Sequence, residues 1–562
     1  MLFLIPLRKR LAFAKTSWQL CLLAIIGGSI SALLIVLFTF SITTIQQLYL
    51  TERDNYTSLD LVSRLDLPII GALVILLFAW LTGYKYLRTG IPFIIHRLNM
   101  HHGIIPLKNT LNQFWGSVIA LATGFSVGRE GPAVHLGAAC TSYLGHKLRL
   151  PHNSIKTLCA CGIAAGISAT FNTPVAAVIF VMEVILRDYK VHIFIPVMLS
   201  AIVGSLITNH IFGTAHEYEF LQNISLEYQH YLPLIFLGIV LGLLASIFNR
   251  YLILVIEHSA KLHITTRLIL AAVITSALGY AIPYAMGTGL SGIDFSLQHQ
   301  WQTELLFTLL IAKLLMTIFA LGLGIPGGII GPIIAIGAIA GVCVSTFIVP
   351  FIPGEHLASD FALMGMAGFL AASLNAPLTA LLTVMELSNQ IDVIPPAMIV
   401  ITTACLISGQ LCKNRSIFIM QLDIQGLTYR KPPIERSLQK VGVLSIIKEN
   451  FTLFSSFERK NIARYLTTES HNAAVVIREE DNSNSFYLMQ LAAEQTNLLP
   501  NSLIKHKLIP IPMQATLDQA YLALFKQRKG GVYIFDKTPN DIIGVITFEQ
   551  IQLYLLTGKT HS

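Results

Sequence analysis

The chain has 562 residues, 54% of them hydrophobic and only 12% charged, with a formal net charge of +8. Soluble domains carry about 25% charged residues, so a soluble globular protein, a disordered chain and a free nucleic-acid binder are excluded. The positive balance instead fits cationic loops that orient a membrane protein and face anionic lipid.

Charge is unevenly spread: 28 of the 68 charged residues fall in the last 133 positions. This predicts a membrane domain over about 1–425 and a soluble domain over 430–562. The first apolar run, 20–50, is long enough to span a bilayer. Arg8, Lys9, Arg10 and Lys15 precede it, which places the N-terminus in the cytoplasm. A signal peptide is the alternative, but the run is about twice the length of such a core and lacks a clear cleavage site. Further runs follow at 67–83, 114–127, 191–212, 232–256, 268–286, 305–321 and 394–411. Residues 314–354 hold no charge at all but are broken by Gly324, Pro326, Gly327, Gly328, Gly331 and Pro332. Broken apolar runs at membrane depth are tolerated where the backbone is buried in protein or lines a polar path. The seven cysteines lie in or beside apolar stretches without metal-ligand spacing to a histidine. Neither a disulfide scaffold, a metal site nor a cofactor is expected.

The chain repeats itself. Residues 161–183 read CGIAAGISATFNTPVAAVIFVME and 364–386 read MGMAGFLAASLNAPLTALLTVME. A shift of 203 aligns Asn172, Pro174 and Glu183 with Asn375, Pro377 and Glu386; upstream, a shift of 200 aligns Gly128, Gly131 and Pro132 with Gly328, Gly331 and Pro332. Chance could match Ala, Leu and Gly, but Asn, Pro and Glu are uncommon in apolar helices. Duplicated bundles with a site at the repeat interface are a common transporter design.

Three Gly/Pro breaks precede apolar runs: Arg88-Thr89-Gly90-Ile91-Pro92, Gly128-Arg129-Glu130-Gly131-Pro132, and Gly327-Gly328-Ile329-Ile330-Gly331-Pro332. Each is expected to open a helix, where free N–H groups and the positive dipole end favour an anion. Glycine and proline that merely kink packed helices are the bland alternative for any one break. Glu130 sharpens the case, because an intramembrane acid costs a few kcal/mol and marks function by default. Ionised, it can fill an anion site; protonated, it would leave it.

At these residues the chain resembles the CLC family of chloride channels and chloride/proton antiporters. GREGPAVHLGA is close to that family's GREGP signature, TGIP to GSGIP and GGIIGP to GGIFAP, and FNTPVAA and LNAPLTA also match. The resemblance covers about 20–425. It implies an all-α polytopic fold of two inverted halves, a homodimer, and one anion path per subunit. By resemblance Glu130 matches the gating glutamate and Thr89 the hydroxyl at the central anion. The backbone N–H groups of Ile329 and Ile330 match further donors. Two departures follow. The family's central tyrosine aligns with Phe418, and the antiporters' inner proton glutamate with Val184; neighbouring Glu183 either substitutes or bonds structurally at a helix end, as Glu386 would. Pro132 is kept and Thr89 is not proline, so the resemblance implies chloride, with other halides and nitrate permeant, at an inner (plasma) membrane.

Residues 515–555 read as a helix at 517–525, strands at 532–535 and 542–546, and a helix at 548–555. This order resembles a CBS module, with a degenerate copy over 441–489. Nucleotide-binding modules usually carry Asp where Gln550 stands, so nucleotide binding is not expected. The expected function is chloride transport gated by Glu130, channel-like or weakly proton-coupled, with chloride/proton antiport through Glu183 or water as the alternative. An intramembrane enzyme has only His101-His102 and isolated acids behind it, and a non-transporting sensor would leave the anion motifs idle.

Overall fold

The computed structural model describes residues 4–83, 90–213, 224, 226–299, 302–352, 356–427, 429, 431–454, 462, 474–478, 485–491 and 503–558. The chain divides into two compact units. One comprises Cys21–Leu144 and Thr157–Tyr429; the other comprises Met1–Leu20, Gly145–Lys156 and Arg430–Ser562.

The helices run α1 (Leu4–Ala12), α2 (Trp18–Gln46), α3 (Leu61–Leu81), α4 (Gly90–Met100), α5 (Leu107–Ala122) and α6 (Glu130–Lys147). Then come α7 (His152–Phe171), α8 (Pro174–Phe180), α9 (Val191–Phe212), α10 (Tyr231–Ser259), α11 (Ile264–Ala281) and α12 (Leu290–Gln298). The membrane part ends with α13 (Thr303–Leu323), α14 (Ile330–Ile348), α15 (Leu357–Leu374), α16 (Pro377–Ser388), α17 (Ile394–Leu406) and α18 (Ile417–Ile424). Among the described residues, ten helices are long and apolar enough to cross a membrane. The chain is a multi-pass membrane protein of mostly helical fold. Outer helices expose apolar rows to lipid, as α2 does with Leu33, Leu37 and Phe40, whereas α15 is buried along its whole length.

The repeat has a structural counterpart. Asn172 and Asn375 both adopt the left-handed conformation (φ 56° and 53°), and each ends a long helix just before a proline that opens a short one. Gly137 crosses Gly162 in the first half, and Gly337 crosses Gly365 in the second. A Cβ on Gly337 would stand 2.5 Å from the Gly365 carbonyl, so only glycine permits the approach. The 41-residue uncharged stretch is divided at Gly324, which ends α13 at φ +98°.

In the second unit, α19 (Pro433–Leu438) precedes β1 (Phe451–Phe454), β2 (Ala474–Arg478), β3 (Phe486–Leu491), β4 (Leu503–Lys507) and β5 (Ile509–Pro512). α20 (Leu517–Leu524), β6 (Gly531–Phe535), β7 (Ile542–Thr547) and α21 (Phe548–Thr557) complete it. β5 pairs parallel with β6, and β6 antiparallel with β7; β1, β2 and β3 repeat that pattern. The α1 helix belongs here: Arg8 donates to the Leu148 carbonyl (3.2 and 3.1 Å), Lys9 meets Glu449 (2.7 Å), and Gly442 N–H donates to Ala12 O (2.9 Å). His152 N–H donates to Gln514 O (2.9 Å), which ties in the connection between α6 and α7.

Candidate functional site

All three breaks open helices, and the structure gathers their glycines. Gly128 and Gly328, equivalent positions of the two halves, exchange both backbone hydrogen bonds at 2.7 Å. Such mutual pairing of equivalents places them at the pseudo-two-fold between halves. Gly90 (φ +81°) brings the start of α4 alongside: a Cβ there would stand 3.9 Å from the Gly327 carbonyl. At Gly131 a Cβ would come within 2.8 Å of the same carbonyl, so α6 and α14 start against each other only because both carry glycine.

Glu130, the first residue of α6, is 2% exposed. Its carboxylate lies in a cradle of backbone. A Cβ on Gly128 would overlap Oε2, one on Gly328 would lie 2.6 Å from it, and one on Gly331 would lie 3.0 Å from Oε1. The acid thus reaches across to the N-terminus of α14, whose N-cap residue, Ile329, makes no side-chain cap. The start of a helix, with its free N–H groups and positive dipole end, favours a negative group.

The remaining expected residues are distributed around this point. Ile91, Pro92, Arg129, Ile329 and Ile330 are buried at the helix starts. Phe418 is buried on α18, which packs on α4. Thr89 lies outside the described residues. A narrow cavity runs from Glu130 and Ile330 between α8 and α16; Thr173, Thr379 and Thr383 supply its hydroxyls among otherwise apolar walls.

Val184 is buried in a π-helical turn (Val181–Leu186) that continues α8 and ends at Arg187 in the left-handed conformation. Beside it, Glu183 accepts from Leu378 N–H (3.3 Å), Thr379 N–H (2.7 Å) and the Thr379 hydroxyl (2.6 Å). Glu386 does the same in reverse, accepting from Val175 N–H (2.9 Å) and Ala176 N–H (2.7 Å). Each half's glutamate therefore sits on the first turn of the other half's short helix. That exchange requires α8 and α16 to be antiparallel, hence the halves to be inverted.

Sequence reasoning missed two charges. Lys313, a lone cation within the run 305–321, has no exposed surface and donates to the carbonyls of Ala285 (3.0 Å) and Gly287 (2.8 Å). The rule that an intramembrane charge marks function applies to it as it does to Glu130. Asp54, in the link between α2 and α3, is also buried and accepts from Thr288 N–H (3.0 Å) and hydroxyl (2.6 Å). Burial pushes the Asp54 carboxyl above the usual carboxylate range, while Thr288, Arg129 and Lys313 pull it back.

Residues 70–409 match the family model described as Voltage gated chloride channel. A chloride channel protein described as ClcB-like, from Ralstonia nicotianae, is 29% identical over 361 residues, covering 61% of this chain and 81% of the relative. Among solved structures, a slow cyanobacterial Cl⁻/H⁺ antiporter overlays with a TM-score of 0.65 at 20% identity, covering 72% of this chain and 98% of the other. A CLC-type fluoride/proton antiporter overlays at 0.59 and 22% identity (72% and 99% covered). A eukaryotic CLC transporter overlays at 0.59 and 19% identity and covers 94% of this chain and 97% of its own. The crossed helix starts, the inverted halves and the family match agree, and this chain belongs to the CLC family of voltage gated chloride channels.

Proposed function

We propose that the chain carries chloride through a path opened and closed by Glu130, channel-like or weakly proton-coupled. The observation that carries this reading is the Glu130 carboxylate seated among the backbones of Gly128, Gly328 and Gly331. A chloride ion would make the same demand on the free N–H groups of these helix starts as that carboxylate, so the two would exclude each other. Val184 cannot hold a proton, which argues for loose coupling. Thr89 and Phe418 would flank the central anion, and other halides and nitrate would follow chloride, since backbone donors read charge rather than identity. The protein would work as a homodimer in the inner membrane with both termini in the cytoplasm, as the residues preceding α2 suggest. Liposomes loaded with chloride test the coupling: a chloride gradient should drive little uphill proton movement. Pumping at a fixed ratio would overturn this reading.

One observation favours chloride/proton antiport as a second reading. The Thr379 hydroxyl donates to Glu183 and also lines the cavity that holds Glu130. Glu183 is thereby one hydroxyl away from the chamber, and two of the similar structures are described as antiporters. If pumping occurs, Glu183→Gln should remove it without stopping chloride.

A further inference from the structure

The Lys313 ammonium is enclosed by protein, and its surroundings lead to the gate. The segment it grips, Ala285–Gly287, is held from the other side by Gly124, whose carbonyl accepts from Gly287 N–H at 3.0 Å. Asp54 holds the next residue, Thr288, through its N–H and hydroxyl. The Lys313 carbonyl accepts from the Thr317 hydroxyl (2.8 Å), which lies 2.8 Å from the Ser126 hydroxyl. The stretch Gly124–Ser126 that leads into Arg129 and Glu130 is therefore fixed by the Lys313 helix and the Asp54-bound segment together. Asp54 also lies within electrostatic range of both Arg129 and Lys313.

Asp54, Arg129, Glu130 and Lys313 are each no more than 5% exposed. Buried charges persist when they are balanced. Among these four, Asp54 offsets one of the two cations Arg129 and Lys313, and an ionised Glu130 offsets the other. Once Glu130 is protonated, an anion in its place restores the balance among the four.

We propose that Lys313, balanced by Asp54, is a positioning and charge-setting residue for the gate: it supplies the surplus positive charge that either the Glu130 carboxylate or one transported anion neutralises. This rests on the reading of Glu130 as the gate. Among the described residues, those that line the cavity beside Glu130 are neutral: the backbones of Gly328 and Gly331 lie against its carboxylate, and Thr173, Thr379 and Thr383 supply the cavity's hydroxyls. Glu183, behind Thr379, adds one negative charge that the variants below share. Removing the Lys313 charge leaves ionised Glu130 and bound chloride less favoured. Glu130 then takes its proton at higher pH, and chloride binds less tightly. Neutralising Asp54 does the reverse.

The test is chloride flux against pH in proteoliposomes, with each variant checked for intact dimer by size exclusion. Glu130→Gln comes first: flux independent of pH upholds the gate, and retained pH dependence refutes the gate reading itself. Lys313→Met should then move the midpoint of the flux profile up by about one pH unit and raise the chloride concentration for half-maximal flux. Asp54→Asn, which keeps an acceptor for Thr288, should move the midpoint down, and Lys313→Arg should restore the parent profile. Flux loss in Lys313→Met and Asp54→Asn with unmoved midpoints, or midpoints moved the same way, would mean that the lysine only braces the carbonyls of Ala285 and Gly287, and would overturn the proposal. Should Lys313→Met fail the dimer check, the direction of the Asp54→Asn shift decides alone.

Discussion

The crossed glutamates give a prediction whose size can be worked out. Glu183 makes two short hydrogen bonds, to the N–H and hydroxyl of Thr379, and a longer one to Leu378 N–H; Glu386 makes two, to Val175 and Ala176 N–H. A hydrogen bond to a charged group contributes about 1.5–3 kcal/mol when buried, and toward the lower end where, as at Glu183, the carboxylate is only half-buried. Glu183→Ala should therefore cost about 3–4 kcal/mol and Glu386→Ala about 2–3 kcal/mol, each leaving two orphaned N–H donors at a helix start. Thr379→Val removes the hydroxyl alone and should cost about 1 kcal/mol. Glu183→Gln keeps one acceptor oxygen and should fall between Thr379→Val and Glu183→Ala. Thermal unfolding of the purified protein in detergent should rank the midpoints parent, Thr379→Val, Glu183→Gln, Glu183→Ala, from highest to lowest. A Glu183→Ala protein that melts with the parent would refute the capping role.

Glu130→Ala should leave chloride flux intact or raised and insensitive to external pH; loss of flux in a well-folded protein would make Glu130 structural. Val184→Glu should increase chloride-driven proton transport in the same liposomes, and no increase would mean that position 184 is off the proton's route. Gln550 caps α21, accepting from Thr547 N–H (2.8 Å) and donating toward Ile446 O (3.5 Å), so its amide is already committed. ATP or AMP should therefore bind the intact protein weakly or not at all by calorimetry, and a micromolar dissociation constant would contradict this.

The helix starts of the site were legible because the residues that open a helix against another backbone, glycine and proline, are chemically distinctive. Gly90, Glu130 and Ile330 each begin a helix where the breaks place one. Helix ends were less legible where protein, not lipid, surrounds the chain. The apolar run 114–127 corresponds to α5 at Leu107–Ala122. Its first turns carry Asn109, Asn112 and Gln113, polar residues buried in protein, and Thr123 and Gly124 (φ +85°) stop it while apolar residues continue. Likewise the run 268–286 passes through Pro283, so the helix ends at Ala281. The tail's second module was readable almost to the residue, since Gly531 and Thr547 punctuate its strands. The exchange between Glu183 and Glu386 was not: it depends on two segments 203 positions apart lying antiparallel, and repetition alone does not specify direction. Lys313 and Asp54 went unread because neither belongs to a repeated motif, and only folding brings the link after α2 to the middle of α13.

The company kept by α1 bears on the order in which the molecule can be finished. Ala12 accepts from Gly442, Arg8 approaches Met513 and Asp536 (3.9 and 3.8 Å), and Asn153 and Ser154 donate to the carbonyls of Leu11 and Ala12. α1 is thus completed by residues more than four hundred positions further along the chain. Until more than four hundred intervening residues have been made and inserted, a cationic N-terminal stretch has no tail to lie against.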